Sequence, residues 1–128
     1  MIDIAAPNWL RIAYAANIII LAPVCYSMFL GDGVGAVFEG KVPESDGLRL
    51  LVGSLWLAIL MSSMAGLLWP AFFAPIILVQ IIYKLVWLAT FTIPICAANG
   101  VAAVPHGISA TFALIVFTYP ILLWLSAR

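Results

Sequence analysis

Four side chains at helical spacing carry most of the chemistry this sequence can offer. They are Gln80, Tyr83, Lys84 and Trp87, in the run LVQIIYKLVWL. Steps of three and four residues place them on one helix face. Gln80 and Lys84 are also the only strongly polar interruptions of an apolar stretch covering residues 70–98. A lysine within hydrocarbon costs, by contested estimates, from about 3 to more than 10 kcal/mol. Two arrangements accommodate it. The long stem can lean back so that the amine snorkels to the headgroups, if the hydrocarbon begins near Pro75. Alternatively the amine stays inside, where it binds an anionic headgroup, a substrate carboxylate or a partner subunit, or carries a proton. No Asp or Glu falls within any predicted helix, so no counter-ion is expected at that depth. Asn17, Ser62, Ser63, Thr118 and Tyr119 could supply neutral oxygens.

Cys25, Cys96 and His106 form a second constellation, weaker as a site. All three fall toward the same side of the predicted bundle, beneath a loop rich in carboxylates. Thiolate, imidazole and carboxylate are metal ligands, and two thiols can act as a redox pair. Helices one and three lie diagonally in a simple bundle, however, which separates Cys25 from Cys96 beyond direct disulfide reach. Neither belongs to a CxxC pair, so the expectation is two buried thiols, an interfacial histidine and no metal. That loop, GDGVGAVFEGKVPESDG at residues 31–47, holds four of the five carboxylates: Asp32, Glu39, Glu44 and Asp46. Its expected roles are solvation, turn formation and helix capping, with Pro43-Glu44-Ser45-Asp46 leading into the next helix.

The elements that must position these groups are membrane helices. Of the 128 residues, 66% are hydrophobic and 8% charged, where soluble domains carry about 25% charged residues. The mean hydropathy is +1.24. A water-soluble globule is excluded, and zero net charge without a basic patch gives no reason to expect nucleic acid. A bilayer core about 30 Å thick needs roughly 20 apolar residues per helix. The apolar segments predict an all-α integral membrane protein, a single domain over residues 1–128. Its four transmembrane helices, at about 9–30, 48–68, 71–98 and 107–125, form an up-down antiparallel bundle with both termini on one side. Asp3 in place of a basic cluster argues for a retained first helix rather than a secretory signal.

Within the helices, Pro23 and Pro94 should bend the chain without breaking it. Trp69-Pro70 leaves almost no connection, so helices two and three should form a tight hairpin. Ser54, Ala58, Ser62 and Gly66 recur every four residues, a ladder of small side chains of the kind that lets membrane helices approach closely. Gly53 adds to that face, while Trp56, Leu57, Leu60 and Leu67 are expected toward lipid or in gaps. Gly107, Ser109, Thr111 and Ala113 offer a similar face on helix four. Basic residues divide evenly, Arg11 and Arg128 against Lys41 and Arg49, and the acidic loop favours cytoplasmic termini.

The polar loop, the stretch GLRLLVGSLWLAILMSSMAGL opening with Arg49 and Gly53, and the tight hairpin leading to LVQIIYKLVWL resemble the DoxX-like superfamily. Its members are small four-helix proteins of bacterial membranes. The resemblance implies a bacterial inner-membrane bundle, in a group whose members include associates of thiol or quinone redox systems. It transfers no catalytic residue.

The chain has no HExxH, GxSxG, Walker, GxGxxG or CxxCH motif. The first functional expectation is therefore a non-catalytic accessory or scaffold subunit, a homo-oligomer or part of a larger membrane complex. Its basis is the small-residue ladder and Lys84. The second is a redox or quinone-associated protein using Cys25, Cys96 and His106. The third is a small transporter or lipid-binding protein built on Gln80, Tyr83, Lys84 and Trp87. No cofactor is predicted; a membrane lipid, a quinone or a pigment would be the class of occupant.

Overall fold

The computed structural model describes residues 4–128, with the backbone alone at Val34; Asp3 lies outside the described residues. Four helices are long and apolar enough to cross a membrane: Pro7–Leu30, Asp46–Leu68, Ala74–Asn99 and His106–Ser126. The described ends meet, because the Ala5 and Ala6 N–H groups donate to the Ser126 carbonyl at 3.0 and 2.9 Å. That side is the terminal side, and the opposite one the loop side.

The first span is α1, Pro7–Leu30, with Pro7 in its first turn and Pro23 exposed inside it. A short helix in the polar loop, α2, Gly33–Val37, was not legible in the sequence. The second span is α3, Asp46–Leu68. Ser45 caps it as expected, its hydroxyl accepting from the Leu48 N–H at 3.5 Å. Arg49 in its first turn pairs with Glu44 at 2.9 Å and Asp46 at 3.3 Å. Arg49 also donates to the Met28 carbonyl, a favourable place for a cation because the end of α1 is electronegative.

The third span changes geometry along its length. It runs as α4, Ala74–Trp87, widens into a π-helical turn over Leu88–Thr92, and finishes as α5, Ile93–Asn99. The cause is Pro94, which cannot donate to a carbonyl one turn back and whose ring crowds that carbonyl. The Ile93 N–H reaches instead to the Leu88 carbonyl. Gly100 then ends the helix at φ +90°, a conformation that favours glycine. After a single 3-10 turn at Val101–Ala103, the fourth span is α6, His106–Ser126.

Spans one and two pack most closely, spans three and four next, and span one also meets span four. Spans two and three follow each other with a minimal turn, yet they share few contacts. The expected tight pairing gives way to a lateral groove of about 420 Å³, with Leu55 and Val79 at its exposed lips. Bulk explains the splaying. Trp56, Tyr83 and Trp87 stand between the two helices, bridged by the Trp56 indole N–H donating to the Tyr83 hydroxyl at 3.0 Å.

Trp56 is 4% exposed and stacks on Phe38 of the loop at 6.0 Å between ring centres, so of its two expected positions it fills a gap and does not face lipid. The inward face of α3 is Gly53, Trp56, Ile59, Ser63 and Gly66. At about 100° per residue this set fills an arc of roughly 140° on one side of the helix. The ladder Ser54, Ala58, Ser62, Gly66 fills the adjacent arc of roughly 120° and meets the inward face only at Gly66. Only Gly66 of the ladder is buried; Ser62 is half-buried, and Ser54 and Ala58 face outward.

Candidate functional site

Two layers of polar groups cross the bundle. The layer nearer the terminal side is fully paired. The Tyr14 hydroxyl donates to the Pro70 carbonyl at 2.7 Å, tying α1 to the turn between spans two and three. The Tyr14 ring lies so close to Gly66 that a Cβ there would meet it at 2.8 Å, which is why this ladder position must be glycine. The Asn17 amide donates to Ser63 Oγ at 2.9 Å, and the Tyr119 hydroxyl reaches the Asn17 side-chain oxygen and, at 3.2 Å, the Ala13 carbonyl. Asn17, Ser63 and Tyr119 therefore hold one another rather than Lys84.

The second layer is Gln80 and Lys84. Gln80 is 0% exposed and Lys84 2%, so the ammonium stays within the bundle instead of snorkelling. Lys84 Nζ donates to Gln80 Oε1 at 2.9 Å, the i,i+4 pairing that α4 dictates. The nitrogen lies 5.1 Å from the centre of the Phe112 ring and 5.4 Å from that of Tyr83, a cation–π setting on two sides. Trp87 completes the face by packing edge-on against Phe112 at 5.3 Å. The predicted quartet is thus assembled, with Gln80 and Lys84 inward and Tyr83 and Trp87 half-buried.

What is missing is an acceptor. Among the described residues the only ion pairs are those of Arg49, and Gln80 Nε2 is buried with no hydrogen-bond partner. Lys84 forms part of the wall of a cavity of about 270 Å³ between spans one and four, whose sides include Leu21, Val24, Trp56 and Ile115. This volume is far above the roughly 10–15 Å³ that one water needs. The cavity reaches from Lys84 to the loop side, where Ser27, Glu39, Gly107 and Thr111 line it.

Glu39 at that mouth was not singled out as a site residue by its sequence context. It is the one non-glycine among the described residues with positive φ, at 56°, and its Oε2 accepts the Gly107 N–H at 2.7 Å. This contact caps the fourth span from a residue far away in the chain. The Gly107 N–H, followed by backbone and charge effects of His106 and by Lys41, holds the Glu39 carboxyl below the usual carboxylate range. Asp32 caps α2 through the Gly35 N–H at 3.2 Å, while Glu44 and Asp46 hold Arg49. All four loop carboxylates therefore have a structural partner.

Cys25, Cys96 and His106 are not brought together. Cys25 is buried against Met28, Trp56 and Phe112 on the inner side of α1. Cys96 is half-buried on α5, and neither thiol forms a disulfide. His106 is exposed, with Nε2 2.8 Å from the Val101 carbonyl. Among the described residues no three His, Cys, Asp or Glu side chains converge as metal ligands would. Compared with known proteins, the chain matches no protein family, no curated protein and no solved structure.

Proposed function

We propose that this protein binds, and passes through or along the membrane, a small ligand whose polar end accepts hydrogen bonds from Lys84 and Gln80. The observation that carries this reading is the buried Lys84 amine on the wall of a cavity, joined to a glutamine whose own amide nitrogen has no partner. Buried polar groups in folded proteins are satisfied as a rule, and an exception calls for a reason. A ligand carboxylate, phosphate or carbonyl would supply the acceptor that no described residue provides. Tyr83, Phe112 and Trp87 then act as an aromatic wall that keeps lipid from the ammonium.

Native mass spectrometry of the protein released from mild detergent tests this. Wild type should retain a small acceptor-bearing molecule that Lys84→Met loses, and counterflow in proteoliposomes should depend on Lys84. Both proteins appearing only at their own bare sequence masses would sink the reading.

A second reading, an accessory or scaffold subunit in a homo-oligomer or larger membrane complex, is favoured by the outward placement of Ser54 and Ala58. A face of small residues turned toward lipid is suited to close approach by another helix. Sizing in native detergent that gives a lone monomer would count against it. The redox alternative that accompanies a DoxX-like layout draws no support from scattered Cys25, Cys96 and His106. We place the protein in a bacterial inner membrane with cytoplasmic termini, an orientation that cysteine-accessibility mapping of Arg128→Cys and Lys41→Cys would test.

A further inference from the structure

The cavity between spans one and four carries opposite charges at its two ends, and they are not paired with each other. Lys84 lies on the inner wall and Glu39 at the mouth. The two Arg49 pairs are the only ion pairs among the described residues, so neither Lys84 nor Glu39 is in one. Their separation follows from α6. Glu39 holds the N–H of Gly107, while Lys84 Nζ lies 5.1 Å from the ring of Phe112. Those two helix residues are five apart, about 7.5 Å along the axis. Apolar Leu21, Val24 and Ile108 line the walls between the charged ends.

We propose that the ligand is a small zwitterion of the short amino-acid class, its carboxylate turned inward to Lys84 and Gln80 and its ammonium turned outward to Glu39. This rests on the preceding reading of Lys84 and Gln80 as a ligand site, and adds the outer pole and the chemical class.

Three features select this class over a simple anion. A carboxylate at the mouth repels an approaching anion but attracts an ammonium. Glu39 accepts the Gly107 N–H and lies against the His106 backbone, and the roughly four lone-pair sites of a carboxylate leave room for a donor from the ligand. Gln80 Nε2 adds a second, neutral donor beside the ammonium, which suits the two oxygens of one carboxylate. Lys41 and His106 stand near Glu39 without forming an ion pair with it. The ligand chemistry could be that of a free ω-amino acid from the water on the loop side, or that of a phosphatidylethanolamine headgroup, whose phosphate also lies inward of its ammonium.

Trp56 lines the cavity, so its fluorescence reports occupancy in purified protein held in nanodiscs. The probes are β-alanine and 4-aminobutyrate, with butyrate and butylamine as matched single charges. In phosphatidylcholine nanodiscs, the amino acids should bind at least tenfold more tightly than butyrate. Glu39→Gln keeps an acceptor for Gly107 and should bring the amino acids and butyrate to one level, weakening the former and binding butyrate at least as tightly as wild type does. Lys84→Met should abolish both. Displacement of 4-aminobutyrate by phosphatidylethanolamine in the nanodisc would assign the zwitterion to a lipid headgroup; its absence assigns it to a soluble amino acid. Equal affinity for butyrate and 4-aminobutyrate, with no effect of Glu39→Gln, would overturn the zwitterion and leave a plain anion site. Loss of the Lys84-dependent native mass as well would remove the underlying site itself.

Discussion

The two polar layers of this bundle are built from similar materials and end in opposite conditions. Near the terminal side, Tyr14, Asn17, Ser63 and Tyr119 come from three spans and each has a partner, Tyr14 in the Pro70 carbonyl and the other three in one another. Near the middle, Gln80 and Lys84 come from one helix, satisfy each other once, and leave an amide nitrogen without a partner, with the lysine on a cavity wall. Saturation marks a joint between helices. Surplus donors mark a place that awaits something. Both layers are buried, so the tally of partners is what distinguishes them.

Mutations should separate the layers by sign as well as size. The largest effect is expected for Tyr14→Ala, which empties the space between α1 and Gly66 and frees the Pro70 carbonyl. A loss of about 3–5 kcal/mol is expected in reversible detergent unfolding. Lys84→Met goes the other way. Exchanging an unneutralised buried ammonium for an apolar side chain of similar shape should leave unfolding unchanged or raise stability by up to about 3 kcal/mol. A clear destabilisation by Lys84→Met would erase the contrast and make both layers structural.

Asn17→Leu should cost about 1–2 kcal/mol, in the range of interhelical hydrogen bonds within membranes. A double-mutant cycle with Tyr119→Phe should show coupling between the two, whereas one pairing Asn17→Leu with Lys84→Met should be additive.

The smallest effect concerns Glu39. Its carboxyl is held below the ordinary range in the folded protein, so the stabilisation it contributes is full above the unfolded carboxylate value. It fades as pH falls through the lower, folded value. The protection factor of the Gly107 amide, its exchange taken relative to the intrinsic rate at each pH, should therefore fall on acidification in wild type, whereas in Glu39→Ala it should already be low at neutral pH. An acid-insensitive Gly107 would break the link between loop and fourth span.

Much of the bundle was legible from residue type and spacing. Long apolar runs located all four spans to within a few residues, because a bilayer demands that length. Ser45, Gly100 and Pro94 marked a start, a stop and a distortion through their own backbone chemistry. The quartet on α4 followed from helical periodicity alone.

Inter-helix relations were less legible. The four-residue ladder on α3 was visible, but which side of the helix turns inward depends on how the neighbours pack, and residue type alone left Trp56 open between lipid and a gap. The short turn between spans two and three fixes their order without fixing their distance. Glu39 looked like one more loop acid because its partner, Gly107, lies on the last span and no local pattern ties the two. The one hint was Gly40 beside it, a turn signal with no preference for a ligand.

The widened turn over Leu88–Thr92 has a bearing on how this site can be re-engineered. A π-turn is an α-helix holding one surplus residue, so removing a residue from that stretch offers the chain a route back to regular winding. Because the widened turn absorbs that residue, everything beyond would keep its azimuth relative to Lys84, whereas a deletion in a regular stretch would rotate it by about 100°. Cys96 would hold its bearing, and the amine its place. The extra residue thus acts as slack between two halves of one rod, which can be taken up without turning one against the other.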